Sequence, residues 1–210
     1  MFDLHSHILF GVDDGSRSFE ESKLMLRQAK AKGLDHIVCT PHCRFDSWNS
    51  ELIDQNFTVL QQYAQSQGVQ MSLGHEVYWK KLMQLGFERA PELVIEGTNM
   101  LLLELSTEAM PTNWQRFIYE IQGMGLQVII AHPERYLAVQ RDLNIAYELK
   151  EMDCYLQLSA NFCKGGMFDK RRKTAMALLR EDMVDYLASD AHRPEDYDTY
   201  AKALSVCREL

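Results

Sequence analysis

Nowhere in the 210 residues do proline, glycine and serine gather into a linker, and the five prolines and eleven glycines are scattered. With no boundary marked, residues 1–210 are expected to form a single domain. Basic residues are also scarce: 22 Lys and Arg against 30 Asp and Glu leave a formal charge of -8. A phosphate backbone demands clustered cations, so nucleic acid is excluded as the bulk partner. The five cysteines are odd in number, and no second pair matches Cys39 and Cys43. Cys39, Cys43, Cys154, Cys163 and Cys207 read as reduced thiols rather than disulfides or a thiolate metal site. No apolar run is long enough to span a bilayer, and Asp3 and His5 stand where a signal peptide needs basic residues and a long apolar stretch. The expected compartment is the cytoplasm, without membrane insertion.

What is present is ordinary for a globular protein, with 46% hydrophobic and 25% charged residues. Short apolar, β-prone runs recur at 1–4, 36–40, 69–73, 100–105, 127–131, 154–158 and 184–188, and they read as buried parallel strands. Between most of them lies helical periodicity. One helix opens on the capping box Ser18-Phe19-Glu20-Glu21, runs through Leu24, Met25 and Ala29, and stops near Gly33. Another follows Pro111, turns Trp114, Phe117, Ile118 and Ile121 toward a core, and ends near Gly125. Further helices fit 52–65, 137–151 and 168–180. Alternation of strand and helix implies an α/β architecture with a parallel sheet, closed into a barrel or open and doubly wound. Gly-rich nucleotide fingerprints are absent after every strand, which lowers the odds of an open nucleotide-binding sheet.

The acids and histidines fall at the strand ends. Asp3-Leu4-His5-Ser6-His7 ends the first strand, and Asp13-Asp14 follows in the loop. Thr40-Pro41-His42, Gly74-His75-Glu76, Glu104, Ala131-His132-Pro133-Glu134-Arg135 and Ser189-Asp190-Ala191-His192 end later ones. Carboxyl ends of parallel strands share one face, where ligands bind. His5 and His7, two apart in extended chain, project to the same side and can share an ion. Five of the seven histidines (His5, His7, His42, His132, His192) join Asp14, Glu76, Glu104 and Asp190 as nine metal ligands. His36 opens a strand and reads as structural; His75 points to the opposite face. Asp3 is expected to buttress a ligand histidine.

Imidazole and carboxylate without thiolate suit manganese, iron or zinc. Nine ligands exceed the needs of one ion, so two or three ions sharing carboxylates are expected, a cluster that generates hydroxide and clamps a phosphoryl group. Phosphoester hydrolysis is the leading reaction. Arg135 and Arg193, each just past a ligand motif, are expected to hold the phosphate, and Arg44 is a third possibility. No cysteine has an arginine six positions later, which excludes a cysteine-based phosphatase. Asp196-Tyr197-Asp198 follows no buried strand and is not an aspartyl-phosphate motif.

The stretches DLHSHILFGVDDGS (3–16), GLDHIVCTPH (33–42), GHEVY (74–78), LLELS (102–106), VIIAHPERY (128–136) and YLASDAH (186–192) span nearly the whole chain. In this order they resemble the PHP (polymerase and histidinol phosphatase) superfamily, and within it the bacterial manganese-dependent protein tyrosine phosphatases of the CpsB/YwqE type. The resemblance implies a distorted (β/α)7 TIM-like barrel, the PHP fold, with three divalent ions: Mn2+, with Fe, Zn, Co or Mg as substitutes. It places His5, His7, Glu76 and Asp190 on one ion, Glu76, Glu104 and His132 on a second, and Asp14, His42 and His192 on the third; Asp14 rather than Asp13 is favoured by the DDG motif. It implies Arg135 and Arg193 as phosphate holders. The substrate implied is a phosphotyrosine on the tyrosine-rich tail of a bacterial tyrosine kinase controlling capsule or exopolysaccharide synthesis. Attack by a metal-bridging hydroxide and protonation of the leaving tyrosinate by water or His42 complete the expected mechanism. Relatives continue past the last metal motif with a helical stretch, so the segment up to Leu210 leaves the helix that closes the barrel in doubt. Two other readings fit the same residues: a small-molecule phosphatase such as histidinol-phosphatase, and a non-catalytic metal-binding partner of the polysaccharide machinery. The oligomeric state is not set by the sequence.

Overall fold

The computed structural model describes residues 1–44 and 48–209. In it β1 (Phe2–Ser6), β2 (His36–Cys39) and β4 (Gln70–Leu73) form one parallel sheet, in the order β1-β2-β4. A second parallel sheet runs β3 (His42–Cys43), β5 (Glu76–Tyr78), β6 (Met100–Glu104), β7 (Gln127–Ala131), β8 (Tyr155–Ser159) and β9 (Tyr186–Ala188). The sheets meet along the chain itself: β2 continues into β3 across Thr40-Pro41, and β4 into β5 across Gly74-His75. Pro41 has no N–H to give a ladder, which accounts for the break there. At the far edge the last strand returns to the first, with Asp190 N–H donating to His5 O and His7 N–H to Ala191 O, both at 2.9 Å.

Among the described residues eight α-helices pack outside: α1 (Phe19–Ala31), α2 (Ser50–Ser66), α3 (Trp79–Leu85), α4 (Trp114–Gln122), α5 (Leu137–Arg141), α6 (Asn144–Glu151), α7 (Lys170–Arg180) and α8 (Asp196–Arg208). The expected Ser18 cap is present, its side chain accepting from Glu21 N–H. The 137–151 segment, expected as one helix, is two. Asp142 takes an extended backbone, and its carboxylate accepts from Asn144 N–H at 3.0 Å, starting a new helix. The helix left in doubt at the carboxyl end is formed: α8 buries Tyr197, Tyr200 and Ala203, and Tyr197 Oη lies 3.0 Å from Ser6 Oγ.

Alternation along the strands separates two layers of side chains. Leu101, Leu103, Val128 and Ile130 face outward to Phe117, Ile118 and Ile121 of α4. Leu4, Val38, Leu102, Ile129, Ala131 and Ala188 pack together between the strands. Glu104, two residues beyond Leu102, lies on the inward face at the strand's carboxyl end. The apolar plug thus forms a floor beneath a polar layer. We predict that Ile130→Ala, which empties a fully buried site, lowers unfolding free energy by about 2–5 kcal/mol in urea titrations, whereas Tyr119→Ala, on an exposed face, changes it by no more than about 0.5 kcal/mol.

Candidate metal centre

The pairing of β1 with β2 shifts register between Asp3 and Ser6, and His5 and His7, two apart along the chain, both face the polar layer. Their Nε2 atoms lie 3.1 Å apart. Two donors bound about 2.1 Å from one ion at a right angle are about 3.0 Å apart, so the spacing is that of neighbouring ligands. Glu76 and His132 come from β5 and the end of β7, with His132 Nε2 2.7 Å from Glu76 Oε1. His132 and Asp190 hold left-handed backbones at φ 36° and 49°. Non-glycine residues take that region at a cost of about 1 kcal/mol or more, which the packing around these strand ends offsets.

Nitrogens and carboxylate oxygens converge in three groups, each with its donor atoms within 4.8 Å of one another: His7, Asp14, His42 and His192; His5, His7 and Asp190; and His42, Glu76 and Glu104. All nine expected ligands are therefore in or against one cluster. The grouping differs from that implied by the resemblance in three details: His7 stands beside both the first and third sets, Glu76 does not fall with His5, His7 and Asp190, and His42 rather than His132 falls with Glu76 and Glu104. Asp14 Oδ1 faces His42 Nε2 at 3.4 Å and His192 Nε2 at 3.5 Å, while Asp13 points elsewhere.

The distal nitrogens are locked by partners behind the site. His5 Nδ1 lies 2.8 Å from Gln157 Oε1, His7 Nδ1 2.8 Å from Asp13 Oδ2, and His192 Nδ1 3.0 Å from the Asp190 carbonyl. Each acceptor holds the proton on Nδ1 and leaves an Nε2 lone pair facing the cluster, as a metal-binding imidazole requires. Asp13 is thus an orienting residue, and its carboxylate also accepts from Gly15 and His42 N–H. Asp3, expected to buttress a ligand side chain, instead clamps the turn after β9 by accepting from Ser189 N–H at 2.9 Å and Ser189 Oγ at 2.5 Å.

The fit of these residues to cations shows in what they leave unsatisfied. Glu76 Oε2 stands 2.8 Å from His42 Nδ1, 3.2 Å from His7 Nε2 and 3.3 Å from His5 Nε2. Yet Glu76 Oε2 and His42 Nδ1, both buried, have no hydrogen bond of acceptable geometry. Buried polar atoms normally find partners, and lone pairs aimed at a common space are the arrangement a divalent ion satisfies.

The arginines differ in their engagement. Arg135 Nη1 donates to Asp190 Oδ2 at 2.8 Å, beside Ser159 Oγ and Asn161 Nδ2 on the same oxygen. Arg44 pairs with Glu104 at 3.1 Å and stacks over Tyr78. Arg193 Nη1 donates to the carbonyls of Gly15 and His192, tying the Asp13-Asp14 loop to the last motif. Gln157, Ser159 and Asn161 were not anticipated. Gln157 interrupts the apolar run Leu156–Leu158, a signal that was available; the other two carried none. His36 bonds Ser72 Oγ and His75 packs edge-on to Trp48, both apart from the cluster.

Without ions the folded site retains protons that the unfolded chain would release. Burial, then the neighbouring Glu76 charge, raises Glu104 to about 7 from 4.5. Burial raises Glu134 from 4.5 to about 8. His5 and His7 are raised above 6.5 although burial opposes it, by Glu76 and Asp13 respectively. All four folded values exceed the unfolded ones, so each contribution to stability diminishes as pH climbs toward the folded value. His132 and His75, lowered to about 4 chiefly by burial, act in the opposite sense only below about 6.5. The metal-free protein is therefore predicted to melt at lower temperature at pH 8 than at pH 6.5, while added Mn2+ raises the melting temperature more at pH 8, because ligands must lose protons to bind. Thermal melts with chelator and with Mn2+ check this, and a metal-free melting temperature that rises with pH contradicts it.

The family model for capsular polysaccharide synthesis, CpsB/CapC, matches residues 1–208. The tyrosine-protein phosphatase CpsB of Streptococcus agalactiae serotype V is 31% identical over 206 residues, covering 91% of this chain and 83% of that protein. The tyrosine-protein phosphatase CpsB of Streptococcus pneumoniae is 30% identical over 209 residues, covering 95% and 86%. Among solved structures, one described under YwqE from Bacillus subtilis and CpsB from Streptococcus pneumoniae, unique metal-dependent tyrosine phosphatases, superposes with a TM-score of 0.87 at 22% identity, over 100% of this chain and 86% of that one. On the match across residues 1–208 and the identity to these relatives, this chain belongs to the capsular polysaccharide synthesis CpsB/CapC family.

Proposed function

We propose that the chain is a metal-dependent tyrosine-protein phosphatase, one domain over residues 1–210, built as a distorted (β/α)7 barrel. The return of β9 to β1 supports that closure. The observation that carries the function is the convergence of His5, His7, Asp14, His42, Glu76, Glu104, Asp190 and His192 into three overlapping groups, with His132 against Glu76, and with buried Glu76 Oε2 and His42 Nδ1 left without a hydrogen bond. Three divalent ions, with Mn2+ as the leading choice, account for the donor set. When bound, such ions supply acidified water as the nucleophile and neutralise phosphoryl oxygens.

The chain's own residues do the rest. Arg135, already 2.8 Å from Asp190, swings its guanidinium onto a phosphoryl oxygen arriving beside it, and Arg193 holds the opposite lip. Gln157 and Asp13 hold the imidazole tautomers while charge builds at the phosphoryl group. Tyrosinate, with an ordinary pKa near 10, is a fair leaving group, and water or the partly exposed His42 returns its proton. The substrate is a phosphotyrosine protein, with a bacterial tyrosine kinase of capsule or exopolysaccharide synthesis as the partner, and the compartment is the cytoplasm. Among the described residues no helix is long and apolar enough to cross a membrane.

Phosphate release from a phosphotyrosine peptide and from histidinol phosphate tests the reading. Mn2+ is expected to stimulate release from the peptide, chelator to abolish it, and Arg135→Ala to lower kcat/KM about 10²–10³-fold. Chelator-resistant activity rejects the mechanism; preference for histidinol phosphate assigns a small-molecule phosphatase, and activity on neither a non-catalytic binding role.

A further inference from the structure

The pocket does not stop at the metal cluster. A cavity of about 900 Å³ is walled by Asp14, Asp190, His192 and Arg193 of the site. Beside it a second groove, of about 540 Å³, runs past Thr107, Leu137, Gln140 and Lys170. Arg135, Asp169 and Arg171 line both, so a substrate held at Arg135 has a continuous surface on which to extend. A single phosphotyrosyl side chain fills only part of this space, and a flanking polypeptide has room in the rest.

The charge of this extension runs against that of the molecule. The chain carries -8 overall. Along the second groove, Arg135, Lys170 and Arg171 face only Glu108 and Asp169. Asp169 is engaged in capping α7, accepting from Arg172 N–H at 3.1 Å. Lys170 and Arg171 are exposed and make no ion pair among the described residues. Both stand in the first turn of α7, where the helix dipole disfavours cations, so the placement brings α7 no stability. Just before them in the chain Met167 and Phe168 are 78% and 83% exposed.

We propose that Lys170 and Arg171 form a specificity subsite for the peptide around phosphotyrosine, selecting substrates with Asp or Glu beside the phosphorylated residue. This rests on the phosphatase reading above. The subsite acts on capture of the substrate and leaves the chemical step to the metal pocket, so it alters kcat/KM for acidic peptides and not turnover of free phosphotyrosine.

The test compares wild type with the Lys170→Ala/Arg171→Ala double variant on three substrates: a phosphotyrosine peptide with acidic flanks, the same peptide with Gln and Asn at those positions, and free phosphotyrosine. The acidic peptide is expected to be the better substrate of wild type, and the double variant to lose about five- to tenfold in kcat/KM on it alone. Raising the ionic strength should erase the same preference in wild type. Equal losses on both peptides, or no loss on either, overturn the subsite. So does loss of binding to phosphatidylserine vesicles with peptide kinetics unchanged, which assigns the cations to a membrane surface. Failure of wild type to hydrolyse even free phosphotyrosine with Mn2+ overturns the phosphatase reading, and the subsite with it.

Discussion

Crowding of lone pairs in a largely buried cluster governs this structure. Glu76, Asp190, His5, His7 and His132 are each no more than 1% exposed, and Glu104 is 4% exposed. Three carboxylates and three imidazoles cannot share so small a volume as free groups without cost: like charges repel, and each unpaired buried donor loses its water. Protons relieve part of this, which is why Glu104 is pushed up to about 7 while Glu76 and Asp190 are held low by the histidines around them, burial notwithstanding. Multivalent cations relieve all of it at once.

The rest of the fold serves to hold that crowding in place. Parallel strands deliver their carboxyl ends to one face, and the floor of Leu4, Val38, Leu102 and Ile129 sets the depth at which the polar layer begins. Behind the layer, Gln157, Asp13 and the Asp190 carbonyl fix three imidazole tautomers. Asp3 and α8 anchor the ends of the chain around the site, through Ser189 and through Tyr197 against Ser6. An enclosure fixed in this way needs little reorganisation when charge develops on a substrate, the condition under which electrostatic catalysis is strongest.

Much of this was legible in the order of residues because strand ends are short and chemically marked. A β-prone run followed by HSH, PH, GHE, AHPE or SDAH states both the strand and its load, and the β7 run, 127–131, is formed over those residues. The first helix was legible through its cap and α4 through its apolar spacing. Less legible were features set by tertiary contact. Asp142 breaks a helical pattern because its side chain finds Asn144 N–H, a competition that periodicity does not register. The choice between Asp13 and Asp14 turns on which carboxylate reaches His7 Nδ1, and Gln157, Ser159 and Asn161 owe their roles to strands distant in sequence. The final helix buries Tyr197, Tyr200 and Ala203 at helical spacing, a pattern present in the sequence but overshadowed by its position beyond the last motif.

The donor set of this pocket suits several cations. Elemental analysis of protein reconstituted with Mn2+, passed through a desalting column and compared with Glu76→Gln, tests it most directly. Roughly three tightly held ions per wild-type chain and a clear loss in the variant are expected, since Glu76 reaches His5, His7, His42 and His132. Less than one ion per wild-type chain would contradict it.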